Sequence, residues 1–172
     1  MEIINSTAAD IDAIFTLYNE GTAYQKTVAK KHWKGFERSV IEKEIAEHRQ
    51  YKIIVNEEIA CIFAITFSDP YIWQEKNNDP AVYIHRIVTN PAFRGHGFVK
   101  TIIEWAKKYA LQNGQRFIRM DTGSGNEKLN NYYIKCGFNY LGIIEIKNAA
   151  NLPAHYIGGS SSLFEIALAN GQ

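Results

Sequence analysis

The order of hydrophobic periods along the chain predicts an α/β fold, and three observations carry that prediction. Two stretches near the start repeat apolar residues at three- and four-residue spacing. Runs rich in β-branched and aromatic residues follow, bounded by Asn, Asp, Pro and Gly. The second half then alternates strand-like with helix-like segments. No Pro/Ser linker, repeat or low-complexity segment divides the 172 residues, so a single domain over 1–172 is expected.

Taken in order, Ile11, Ile14, Phe15 and Tyr18 mark one face of a first helix after Ser6 and Thr7, and Phe36, Val40, Ile41, Ile45 and His48 mark a second. "YKIIV" at 51–55 and "IACIFAITF" at 59–67 flank the polar turn "NEE" and read as a β-hairpin. "DPYIWQEKNNDP" at 69–80 reads as a loop between two Asp-Pro pairs, and "AVYIHRIVT" at 81–89 as a strand closed by Asn90-Pro91. A third helix carries Val99, Ile102, Ile103, Ala106, Tyr109 and Ala110 on one side and ends at Asn113-Gly114, where a glycine C-cap belongs. "RFIRMDT" is the next strand. A short helix with Leu129, Tyr132, Tyr133 and Cys136 stops at Gly137, and "FNYLGIIEIK" and "SSLFEIALA" close the chain as strands.

Composition narrows the function. Lys plus Arg is 19 against 18 Asp plus Glu, a net charge of +1, which gives no electrostatic reason to expect nucleic acid or an anionic membrane as partner. The run at 59–67 is too short to span a bilayer, and the start "MEIINSTAAD" lacks the build of a signal peptide, so a cytoplasmic protein is expected. Cys61 and Cys136 lie in apolar patterns and read as small core residues.

Chemistry is suggested by "NPAFRGHGFVKTIIEWAKKYA" at 90–110. Two glycines around a histidine, just ahead of a helix, leave backbone N–H groups open to an anion, and the helix dipole favours charge at the same place. The Gly-Lys-Ser/Thr ending of a Walker loop is absent, and Lys100 stands where a dinucleotide fingerprint needs its third glycine. What fits is Arg-x-x-Gly-x-(Gly/Ala) from Arg94, with Val99 in the last place.

This resembles the pyrophosphate-binding motif of the GNAT superfamily of acetyl-CoA-dependent N-acetyltransferases. "NEKLNNYYIKCGF" at 126–138 resembles that family's second signature, and the element order agrees along essentially the whole chain. The resemblance implies a central mixed, mostly antiparallel twisted sheet of six to seven strands with about four helices, and acetyl-CoA in the splay between the fourth and fifth strands. It implies that Arg94, Gly95, His96, Gly97, Phe98, Val99 and Lys100 surround the pyrophosphate, and that Ile87, Val88 and Thr89 pair with the pantetheine arm. A backbone N–H there would polarise the thioester carbonyl.

By the same resemblance Tyr133 is the general acid facing the cofactor sulfur, and Asn126 lies near the cofactor while also placed to cap its helix. Tyr133 equally suits a core position, since it shares the face of Leu129 and Cys136. Tyr132, about 100° round the helix, is the weaker candidate. Asp121 holds the place of the family's carboxylate base; a solvated strand-end acid, His85, or a chain of waters are the competing readings. His155 is a candidate lining residue of the acceptor pocket. The implied reaction is direct transfer of acetyl from acetyl-CoA to a primary amine of a small molecule or peptide, by an acyltransferase that uses no metal. Many relatives dimerise, so the resemblance leaves a homodimer open.

Two rival readings remain. One is a GNAT-fold acyl-CoA-binding module without turnover, for which Val99 is the one feature. The other is a dimeric aspartic protease built on Asp121-Thr122-Gly123, which would call for an almost wholly β fold.

Overall fold

The computed structural model describes residues 1–147 and 150–169. Seven strands order as β1-β2-β3-β4-β5-β7-β6 in one mixed sheet. They are β1 (Glu2–Asn5), β2 (Gln50–Val55), β3 (Glu58–Thr66), β4 (Ala81–Thr89), β5 (Phe117–Gly123), β6 (Asn139–Glu145) and β7 (Ser160–Ala167). The helices are α1 (Ile11–Val28), α2 (Arg38–Ala46), the single turn α3 (Pro70–Trp73), α4 (Phe98–Gln112) and α5 (Glu127–Cys136). By backbone contacts the chain divides into two compact units. The first is Met1–Ile65 with His85–Phe98, and the second is Thr66–Ile84 with the chain from Val99 on.

In the first unit β1, β2 and β3 pair antiparallel. The hairpin closes through Asn56 and Glu57, at φ 50° and 67°, the mirror-image turn whose twist suits two right-twisted strands. Beneath α1 and α2 the core gathers Ile14, Leu17, Tyr18, Ile41, Ile62 and Val88. Burying each large apolar chain contributes about 1.5–3 kcal/mol. Arg86 enters this core as a charge. Its Nη2 bonds Glu44, its Nε donates to the Tyr18 hydroxyl at 3.1 Å, and its guanidinium lies 5.3 Å from the Phe36 ring centre. Burial disfavours the Arg86 charge, yet Tyr18 and Glu44 more than offset that and hold it above its ordinary value.

In the second unit β4 and β5 run parallel over Ala81–Tyr83 and Phe117–Arg119, while β7 pairs antiparallel with both β5 and β6. Ile72, Trp73, Ala81, Tyr83, Ile146 and Leu163 form its core cluster. Both helix stops foreseen from glycine hold: Gly114 has φ 67° after α4, and Gly137 has φ 114° after α5, with Phe138 N–H returning to the Tyr133 carbonyl at 3.2 Å.

The differences from the sequence reading are local. β1 is an added edge strand that four residues of pattern do not announce. The 69–80 stretch is a loop in which α3 and a 3-10 turn at Gln74–Asn78 are embedded, because Pro70 opens a helical turn and Trp73 is buried. Phe36 and His48 fall outside α2. His48 has φ 55°, which ends the helix. β6 is bulged between Tyr140 and Gly142, where φ is 98°. Among the described residues no helix is long and apolar enough to cross a membrane, and both cysteines are free.

Candidate active site

The glycine turn is built by what precedes it. Asn90 is fixed from three directions: its N–H donates to the Ala60 carbonyl at 2.9 Å, its Nδ2 donates to the Ile59 carbonyl at 2.9 Å, and its Oδ1 accepts from Ala92 N–H at 3.1 Å. That anchors the turn Pro91–Phe93, which follows β4, to the first residues of β3. Gly95 and Gly97 follow with φ 86° and 70°, and a Cβ added to either would meet nothing within 4 Å. The backbone therefore faces open space at both residues, in a conformation that any side chain would strain.

His96, between them, is turned back. Its Nδ1 lies 2.8 Å from the Phe93 carbonyl oxygen, and its ring stacks on Phe98 at 5.7 Å and 8°. Arg94 is exposed, with its guanidinium 4.7 Å over the Tyr24 ring of α1. α4 begins at Phe98, so the open turn leads directly into a helix N-terminus of fifteen residues. Lys100 is exposed in its first turn, whereas Val99 is buried at 7% exposure. On β4, Val88 packs into the first unit's core, and Ile87 and Thr89 on either side are half-buried. His85 is half-buried on the same strand.

In the second unit, β5 and α5 bring Asp121, Asn126 and Tyr133 onto one strand–turn–helix. Asn126 caps α5, its Oδ1 accepting from Leu129 N–H at 3.1 Å. Tyr133 is 9% exposed and Tyr132 42%, a difference in burial that fits two neighbours about 100° apart round the helix. Tyr133 packs on Phe164 at 5.4 Å and edge-on to Phe138 at 6.3 Å; its position is thus a buried aromatic one, with the ring held by β7 and by the residue after the helix stop. Asp121 accepts from Ser161 Oγ at 2.9 Å and brings a carboxylate oxygen within 4.8 Å of one on Asp69. Its strand runs straight into α5 in a mixed helix–strand chain, which is not the almost wholly β setting that an Asp-Thr-Gly protease needs.

Ser161 and Tyr24 were not singled out from the sequence. Ser161 reaches Asp121 only because Asp121 pairs with Leu163 and Gly123 with Ser161, a register that residue patterns do not specify. His155 sits in a short 3-10 turn with its ring 4.5 Å from Tyr156.

The model of the Acetyltransferase (GNAT) family matches residues 22–138, more than half of the chain. A streptothricin acetyltransferase from Escherichia coli is 42% identical over 60 residues, covering 35% of this chain and 34% of that one. The match thus spans about a third of that curated relative's length. A GNAT-family acetyltransferase structure from Listeria monocytogenes 4b F2365 superposes with a TM-score of 0.76 at 25% identity, covering 97% of this chain and 94% of that one. The structure of yncA, a putative acetyltransferase from Salmonella typhimurium with its cofactor acetyl-CoA, is similar in fold, with a TM-score of 0.69 at 12% identity and coverage of 100% and 96%.

Proposed function

The chain belongs to the acetyltransferase (GNAT) family, and from that premise we propose that it transfers the acetyl group of acetyl-CoA to a primary amine. The observation that carries the reading is the turn at 94–97, where two glycines hold positive φ with open space before them at the start of α4. Such a turn presents N–H donors and the helix dipole to a diphosphate without any side chain intervening.

In the proposed reaction the amine nitrogen attacks the thioester carbonyl, the C–N bond forms and the C–S bond breaks. The backbone of Ile87–Thr89 pairs with the pantetheine arm and supplies an N–H to the developing oxyanion. Asp121 takes the proton that the ammonium must lose, and the Ser161 hydroxyl orients its carboxylate. Tyr133 gives a proton to the departing thiolate. The ring contacts of Tyr133 with Phe138 and Phe164 support this role by fixing the ring in one orientation.

An acyl-CoA-binding module without turnover draws on Val99 alone, and the burial of that side chain weakens its support. For the acceptor, the 42% identity over 60 residues to a streptothricin acetyltransferase makes streptothricin the first amine to test. The experiment is an amine screen, led by streptothricin, that measures release of the CoA thiol from acetyl-CoA. Thiol release that depends on both amine and protein is expected. Binding of acetyl-CoA with no thiol release from any amine would replace the enzyme by the binding module.

A further inference from the structure

Arg119 reads in the sequence as an ordinary residue of the strand "RFIRMDT", yet its side chain has no exposed surface. Its Nε donates to Glu165 Oε2 at 2.8 Å, Nη1 donates to the Lys76 carbonyl at 2.6 Å and the Tyr83 hydroxyl at 3.3 Å, and Nη2 donates to Asp79 Oδ2 at 2.6 Å. The guanidinium also lies 4.8 Å from the Trp73 ring centre. Burial disfavours this charge, but its bonds to Asp79, Tyr83 and Glu165 more than offset that and hold the group above its ordinary value.

Trp73, Lys76 and Asp79 all belong to the connection from β3 to β4. One residue of β5 therefore clamps the second half of that connection, from Trp73 to Asp79. The same connection is tied from elsewhere in the unit: Asn151 Nδ2 donates to the Tyr71 hydroxyl at 3.0 Å, and Ile72 and Trp73 share a core with Ile146 and Leu163. Its backbone is held under strain, because Gln74 takes φ 49° and ψ −124°, a combination that residues other than glycine avoid.

At the start of the connection, Asp69 is buried, and its N–H donates to Asn77 Oδ1 at 2.6 Å. Asn77 follows Lys76, the residue whose carbonyl Arg119 grips. The clamp thus passes through one hydrogen bond to Asp69, whose carboxylate lies within 4.8 Å of that of Asp121, the candidate base.

We propose that Arg119 is a positioning residue for the amine acceptor: by clamping 73–79 it fixes Asp69 beside Asp121 and holds a wall against which the amine is oriented. This rests on the acetyltransferase reading, because it takes Asp121 as the base. A lysine in its place would keep the charge but lose the planar fork that reaches Glu165, Lys76 and Asp79 at once. Asp79→Ala removes one arm of the clamp at a residue whose side chain is 45% exposed and leaves Glu165 paired with Arg119, and a cooperative thermal unfolding transition checks that this variant is folded.

The test follows both variants, Arg119→Lys and Asp79→Ala, by hydrogen exchange of peptides covering 69–79, by the KM for streptothricin and by the Kd for acetyl-CoA. Faster exchange in 69–79 and a KM for streptothricin raised about tenfold are expected from the loss of a charge-assisted hydrogen bond, with kcat changed less and the Kd for acetyl-CoA unchanged. Unchanged exchange overturns the clamp. Faster exchange with an unmoved KM leaves Arg119 a purely structural residue and also overturns the proposal. Failure of the unsubstituted protein to bind acetyl-CoA would instead remove the acetyltransferase reading, which is distinguishable because the exchange result does not depend on it.

Discussion

The turn at 94–97 and the β5–α5 segment are built on opposite plans. At the turn the side chains are withdrawn: two residues have none, and His96 is folded back onto Phe93 and Phe98, which leaves the backbone facing outward. In β5–α5 the backbone is consumed by strand pairing and helix, and the side chains of Asp121 and Tyr133 are held by Ser161, Phe138 and Phe164. A backbone site depends on what is absent and is damaged by adding atoms. A side-chain site is damaged by removing one atom.

The largest expected effect follows from adding atoms to the turn. Gly97→Glu places a carboxylate where the pyrophosphate is proposed to sit and forces a side chain to φ 70°. Acetyl-CoA affinity measured by calorimetry should fall about a hundredfold, equivalent to about 2.7 kcal/mol. Gly97→Ala bears the same backbone strain, about 1–2 kcal/mol, without the charge, and should lose less affinity. Equal losses would mean that strain, not charge, decides the turn.

Next comes the subtraction of one oxygen. Tyr133→Phe keeps the ring contacts, so thermal stability and acetyl-CoA affinity should hold while kcat falls about ten- to a hundredfold. A normal kcat would make Tyr133 a core residue only. Asp121→Asn should lower kcat about tenfold and flatten the acid limb of the pH–rate profile, because the amide still accepts from Ser161 but takes no proton. A profile unchanged in shape would assign the base elsewhere. The smallest effect belongs to Tyr132→Phe, on the exposed side of α5, which should leave kcat, KM and stability unmoved; a loss matching that of Tyr133→Phe would erase the contrast between the two tyrosines.

The same contrast explains what could be read from the sequence. Gly95, Gly97, Gly114 and Gly137 were legible because each stands where positive φ favours glycine, and the periods of α1, α4 and α5 were legible because one face of each is apolar. Arg86 and Arg119 were not. A charged residue inside a strand run carries no mark of burial, and its partners, Glu44 for one and Asp79 with Glu165 for the other, lie about forty residues away in the chain. β1 was missed because four residues hold too little pattern, and α3 because two Asp-Pro pairs around it speak for a loop. The glycine turn was therefore visible in the residues, while the environment of the candidate base depends on strand register and long-range contact.

The most direct test of the proposed cofactor site is a titration of the protein with acetyl-CoA and with S-acetylpantetheine, which carries the same thioester without the pyrophosphate. In the unsubstituted protein acetyl-CoA should bind about a hundredfold more tightly or better, and Gly97→Glu should abolish most of that advantage. Equal affinity for the two thioesters, or an advantage that survives Gly97→Glu in a correctly folded protein, would contradict the assignment of the 94–97 turn as the pyrophosphate cradle.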